Sequence, residues 1–324
     1  MNRSARDVPG SGSAVIAPAL GASGAALAGA AAARSVEVPS LAVPVDELGM
    51  RTGSVPSLVL TIVGLYLRRS GGWLSTAALV RLASDAGAAP GLTRSAFTRL
   101  KQRGVLVAAR PSGVAGYAFA EGASRMFERG DRRIFAPRRM ALGDAWSLLS
   151  FSLPEQQRGL RAQLRRRLQG IGCGIVAPGL WIAPGYLAEE IEEILVELAV
   201  RGSAVLFDTD DPRPAEPLAD AVASWWDLPA IAARHEEFLR VLAGLPAVSG
   251  PTAGPGSELA EAAAFRRYVL AVDAWRDIPY VDPGLPLELL PDDWPGRRSI
   301  PAFLELSERD ADSALRHVVR VRER

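Results

Sequence analysis

Six side chains between positions 94 and 103 offer the plainest chemistry in this sequence. Arg94, Ser95, Thr98, Arg99, Gln102 and Arg103 are hydrogen-bond donors. At about 100° per residue they share one arc of a helix, while Ala96, Phe97 and Leu100 occupy the other. Arginine and glutamine forks match the edges of guanine and adenine, and arginine, serine and threonine also bond phosphate oxygens. The chemistry is recognition of a duplex rather than bond breaking. Any solvated surface helix divides in the same way, so the helix alone leaves both readings open.

The elements around it tip the balance. Ser54 and Pro56 open a first helix whose Leu58, Val59, Ile62, Val63, Leu65 and Tyr66 recur at helical spacing until Gly71 and Gly72. Ser75 caps a second helix with Leu79, Val80, Leu82 and Ala83 as its apolar stripe, and Gly87, Pro90 and Gly91 form a turn. The third helix is expected to start with Thr93 as its cap and to stop at Gly104. Residues 105–109 and 117–120 read as strands of a short wing with Arg110 at its base. Residues 54–124 are therefore expected to form a winged helix-turn-helix. Its DNA-contacting set is Arg94, Ser95, Thr98, Arg99, Gln102, Arg103 and Arg110.

Charge is segregated along the 324 residues. Residues 51–120 hold nine Arg or Lys against the single acid Asp85, whereas residues 208–324 hold thirteen Arg against twenty-one Asp or Glu. A basic module joined to an acidic one suits a polyanion partner for the first. Lys101 is the only lysine beside thirty-six arginines, so the choice of arginine at any one site carries no message. The single cysteine, Cys173, excludes an internal disulfide and fits a reducing cytoplasm, with packing as its plainer role. Residues 1–53 are rich in Ala and Gly. They are expected to be a disordered tail, too weakly apolar to span a membrane.

Residues 145–210 carry the order βαββαβ, which is ferredoxin-like. Residues 125–144 are expected as a linker and residues 211–324 as an α-helical domain, giving an α+β chain overall. Arg161, Arg165, Arg166 and Arg167, with Arg132, Arg133, Arg138 and Arg139 before them, are candidates for holding phosphates, against the plainer reading of a solvated face. Glu189, Glu190, Glu192, Glu193 and Glu197 form a second charged face, able to pair with that row in a partner subunit. A metal-dependent nuclease is the alternative for this domain. Ser150, Phe151 and Ser152 at the end of the first strand offer a metal no carboxylate, and Asp208, Asp210 and Asp211 read as a turn before Pro212. A protein-interaction module is a third reading. His235 and His317 are too few and too far apart to suggest catalysis or a metal site, and no nucleophile–base pair is evident. No enzyme activity, cofactor or metal is expected.

From residue 57 to residue 130 the chain resembles the N-terminal half of the phenylacetic-acid-degradation repressor family, the PaaX-like regulators. Residues 93–100 (TRSAFTRL) followed by Gly104 resemble that family's recognition helix, and residues 127–135 (FERGDRRIF) its linker. Residues 176–184 (VAPGLWIAP), 282–286 (DPGLP) and 289–296 (LLPDDWPG) are similar to further family segments. The resemblance implies a dimeric transcriptional repressor of a catabolic operon. It also implies an inverted-repeat operator in double-stranded DNA and release by an acyl-CoA thioester such as phenylacetyl-CoA. The tail and the abbreviated wing depart from the family pattern.

Overall fold

The computed structural model describes residues 50–246 and 256–324. The expected tail at 1–53 and the glycine- and proline-rich loop at 250–256 lie mostly outside the described residues. Helices and two small sheets make an α+β arrangement.

Ser54 caps α1 (Val55–Tyr66) by accepting from the Ser57 N–H at 3.4 Å, with Pro56 in the first turn. Ser75 does the same for α2 (Thr76–Asp85), accepting from the Ala78 N–H at 3.0 Å. α3 (Pro90–Gln102) follows, then a hairpin of β2 (Leu106–Ala109) and β3 (Gly116–Phe119). A strand without periodicity of its own, β1 (Trp73–Ser75), pairs antiparallel with β3 and gives the order β1-β3-β2. Gly116 makes this possible: a Cβ there would strike the Leu74 carbonyl and the Trp73 indole.

Residues 125–144, expected as a linker, are helical throughout their first half. α4 (Ala123–Phe135) buries Met126, Phe127 and Ile134. Its phase was readable in those three side chains, but the charge of residues 128–133 disguised it.

The next elements are β4 (Trp146–Phe151), α5 (Arg158–Gln169), β5 (Gly174–Ala177), β6 (Leu180–Pro184), α6 (Ala188–Glu197) and β7 (Ala204–Thr209). They form an antiparallel sheet in the order β5-β6-β4-β7. Leu149, Phe151, Leu164, Leu168, Ile191 and Leu195 fill the space between one sheet face and the two helices. Cys173 is buried there too, and burial pushes its thiol well above the ordinary range. On the other face, Trp146 and Ile182 meet Val222 of α7 (Leu218–Trp225), Trp226 and Trp294. The glutamates of α6 do not wait for a second subunit. Arg133 pairs with Glu190 and Arg167 with Glu197, at 2.9 and 2.7 Å, within the chain.

The C-terminal part comprises α8 (Leu228–Ala243), α9 (Glu258–Trp275), the single turn α10 (Ile278–Val281) and α11 (Gly296–Arg322). The last is 27 residues long, although Pro301 and a dense mix of charges mask its period in the sequence. Phe303, Leu306, Asp310, Ala314, His317 and Val321 are nonetheless one buried stripe. Trp275 of α9 stacks on Phe303 with ring centroids 4.7 Å apart.

Between the same two helices lies a buried ion pair. Arg267 donates to both oxygens of Asp310, at 3.0 and 2.8 Å, and Arg309 adds two bonds at 3.1 Å. Burial alone would raise the Asp310 carboxyl, but the hydrogen bonds from Arg267 and Arg309 hold it below the ordinary value. A carboxyl lowered in the folded state contributes stability that is complete above its unfolded value near 3.9 and is lost as pH falls through the folded value. Asp310→Asn should therefore cost about 3 kcal/mol near neutral pH in urea unfolding, by leaving Arg267 buried and under-compensated. The gap to the parent protein should close in the acid range below the ordinary carboxylate pKa. A gap independent of pH would refute this account of the pair.

Candidate nucleic-acid interface

The exposed face of α3 is set by what its other face buries. Ala96, Phe97 and Leu100 are wholly buried, and the Phe97 ring lies 4.9 Å from that of Tyr117 in β3. Burying Phe97 and Leu100 contributes about 1.5–3 kcal/mol each, enough to fix the rotation of the helix about its axis. Arg94, Ser95, Thr98, Arg99, Gln102 and Arg103 are consequently all exposed. Ser95 and Thr98 return their hydroxyl protons to the carbonyls of Leu92 and Arg94, at 2.7 and 3.3 Å, which leaves oxygen lone pairs outward.

The start of the helix differs from expectation. It begins four residues early, with Pro90 in the first turn and Ala89 as cap. Thr93 is not a cap but a fully buried interior residue, its hydroxyl bonded to the Ala89 carbonyl at 3.1 Å. The helical wheel already held this answer, because Thr93 falls on the arc of Leu100 and Phe97. The same wheel places Lys101 and Leu92 on the outward arc. Both are exposed, and neither was in the expected contact set.

Arg110 is exposed in the β2–β3 hairpin, where β2 gives way to a turn over Pro111–Gly113. Ser112 and Gly113 have φ of +52° and +84°, so the turn closes in few residues and the hairpin stays short. Among the described residues, Arg94, Arg99, Lys101, Arg103 and Arg110 have no carboxylate partner. Arginines elsewhere among the described residues, such as Arg68, Arg133, Arg167 and Arg267, are instead paired with carboxylates. An unneutralised cationic surface beside a helix of donors is what binding phosphates demands.

This module is held firmly from behind. The Asp273 carboxylate on α9 is buried, and it accepts from the Gly53 N–H and the Ser57 hydroxyl at 2.7 Å and from the Thr61 hydroxyl at 2.8 Å. Arg276 donates to the Ser57 oxygen at 2.9 Å. Tyr66 of α1 packs on Phe265 of α9, and His317 of α11 meets Asp85 of α2 at 2.8 Å. One hydrophobic cluster runs without interruption from Leu58 through Phe97 to Trp275 and Val318.

The other site readings resolve as follows. Asp208 is bonded to Ser147 at 2.7 Å and Asp211 to Arg213. Among the described residues there is no group of three His, Cys, Asp or Glu able to hold a metal. His235 is buried between Ser299 and Asp282, at 2.7 and 2.9 Å, and ties α8 to the segment before α11. No helix among the described residues is long and apolar enough to cross a membrane.

Comparison with known proteins gives concordant matches along the chain. Residues 54–123 match the PaaX-like protein family model, residues 139–221 the PaaX protein central Cas2-like domain, and residues 226–320 the PaaX-like protein C-terminal domain. The chain is 26% identical over 265 residues to the transcriptional repressor PaaX of Escherichia coli (strain K12), covering 81% of this chain and 82% of that protein. It is also similar to the solved structure of the uncharacterized protein Rv0674 from Mycobacterium tuberculosis. There the TM-score is 0.53 and the identity 25%, over 80% of this chain and 97% of that one.

Replacing Asp273 with Ala removes the acceptor of three hydrogen bonds and leaves Arg276 buried beside the gap. The expected loss is about 3–5 kcal/mol in chemical unfolding. A loss below about 1 kcal/mol would mean that the module is not seated through this carboxylate.

Proposed function

The chain belongs to the PaaX-like family, and on that premise we propose that it is a transcriptional repressor that binds double-stranded DNA through α3 and the β2–β3 wing. The observation that carries this reading is the outward arc of α3, where Arg94, Arg99, Lys101 and Arg103 stand exposed beside Ser95, Thr98 and Gln102. Residues 54–124 are the winged helix-turn-helix, residues 145–210 the ferredoxin-like domain and residues 211–324 the α-helical domain, with α4 between the first two. The β5-β6-β4-β7 order supports the ferredoxin-like assignment.

On this reading α3 enters the major groove, where Arg94 and Arg99 read base edges and Gln102 and Thr98 add polar contacts. Arg103, near the helix end, contacts phosphate, and Arg110 reaches the backbone or minor groove beside it. The protein acts in the cytoplasm as a homodimer on an inverted repeat, with half-sites about one helical turn apart. An acyl-CoA thioester, as the family resemblance implies, shifts the population away from the spacing that fits both half-sites. No catalytic role is assigned to any residue.

Arg94→Ala and Arg99→Ala should each weaken operator binding by about 1–3 kcal/mol and relax preference at one base position. Arg103→Ala should weaken all sequences alike and lower the salt slope of log K by about one unit. Fluorescence anisotropy on a duplex from the gene's own upstream region, across a salt series, measures both. Unchanged affinity in the Arg94→Ala/Arg99→Ala double variant would remove α3 as the reading helix.

A further inference from the structure

A cavity of 310 Å³ opens where α4, α6 and the chain from the end of α9 to Gly284 come together. That volume is in the range of small-molecule sites, and its floor is apolar, formed by Met126, Ile171, Leu187, Ile194 and Ile278. Arginines supply the polar rim. Arg132 and Arg138 are exposed at the mouth, and the Arg138 guanidinium lies 4.4 Å from the centre of the Tyr186 ring. Among the described residues Arg132 has no carboxylate partner. Arg129 and Arg133 lie on the same wall of α4, and they cross to Glu193 and Glu190 of α6, each at 2.9 Å.

We propose that this cavity binds a small organic anion, its apolar body on the floor and its carboxylate, sulfonate or phosphate on the arginines of α4. The anion competes with Glu190 and Glu193 for Arg133 and Arg129, and so loosens the two ion pairs that fasten α4 to α6. The fold makes this felt at a distance, because α4 has two working faces. At 100° per residue Arg129, Arg132, Arg133 and Ala136 point one way and Phe127 and Asp131 nearly the opposite way. Phe127 packs on Phe119 of β3 with ring centroids 4.9 Å apart and fills the space that a Cβ on Gly64 of α1 would need. Asp131 is paired with Arg68, just beyond α1. A ligand that shifts α4 therefore moves the support of the helix-turn-helix and the strand of its wing together. The binding site stands on the cavity alone, whereas its effect on DNA rests on the reading of α3 given above.

The test uses the full chain and the dye 8-anilino-1-naphthalenesulfonate, an aromatic anion whose fluorescence rises on burial. Saturable binding of one dye per chain is expected. The Arg132→Glu/Ala136→Trp double variant, which reverses a rim charge and fills the mouth, should bind at least tenfold more weakly with its thermal midpoint retained. Arg132→Glu alone serves if the double variant does not fold. Parent-like dye affinity in a folded variant overturns the site. In the parent protein, saturating dye should lower affinity for the upstream duplex at least tenfold. Dye binding that leaves DNA affinity unchanged overturns the coupling. Dye binding at this site in a protein that binds no duplex at all counts against α3 as the DNA contact and leaves the cavity assignment intact.

Discussion

A carboxylate placed out of water must be fully bonded or it destabilises everything around it, and Asp273 is the point where this chain accepts that constraint. It gathers the Gly53 backbone and the hydroxyls of Ser57 and Thr61, groups more than two hundred positions away in sequence. Ser57 in turn takes a bond from Arg276. The first helix of the N-terminal module cannot be lifted from α9 without stranding that charge. The N-terminal module is thus not a bead on a flexible string. Its core is continuous with that of the C-terminal helices, and α3 keeps a fixed direction relative to the rest of the protein.

The helix α4 extends the same logic. It contributes Phe127 and Asp131 to the module in front and Arg129 and Arg133 to the module behind, while its Ile134 carbonyl accepts from the Trp275 indole at 2.9 Å. A segment with three such attachments transmits displacement rather than absorbing it. Close-packed interiors respond to such a displacement by switching between arrangements.

Much of this was legible in the sequence, and the residues show why. Ser54, Ser75, Pro56 and the glycines after the first helix are local signals whose physics needs no distant partner, and α1 and α2 follow them. The two faces of α3 were readable because burial and helical period act on the same few residues. The start of α3 was misplaced because a threonine near a helix start resembles a cap. Here its methyl and hydroxyl are buried, with Pro90 beginning the helix. β1 exists only through its partner β3, and the Arg133–Glu190 and Arg167–Glu197 pairs depend on long-range folding that periodicity does not encode. α11 was hidden by Pro301, since a proline usually ends a helix. In the second turn it forfeits one hydrogen bond and crowds the Arg297 carbonyl, and the packing of Phe303 and Leu306 outweighs that cost.

The tie between His317 and Asp85 has a kinetic consequence. Asp85 is the only acid among residues 51–120, and it is turned toward α11 instead of toward α3. The third helix and the hairpin after it therefore carry charge of a single sign, while the excess of carboxylates belongs to the C-terminal third. A molecule with such a lopsided potential is rotated by a polyanion during approach, so that a larger share of diffusive collisions begin in a productive orientation.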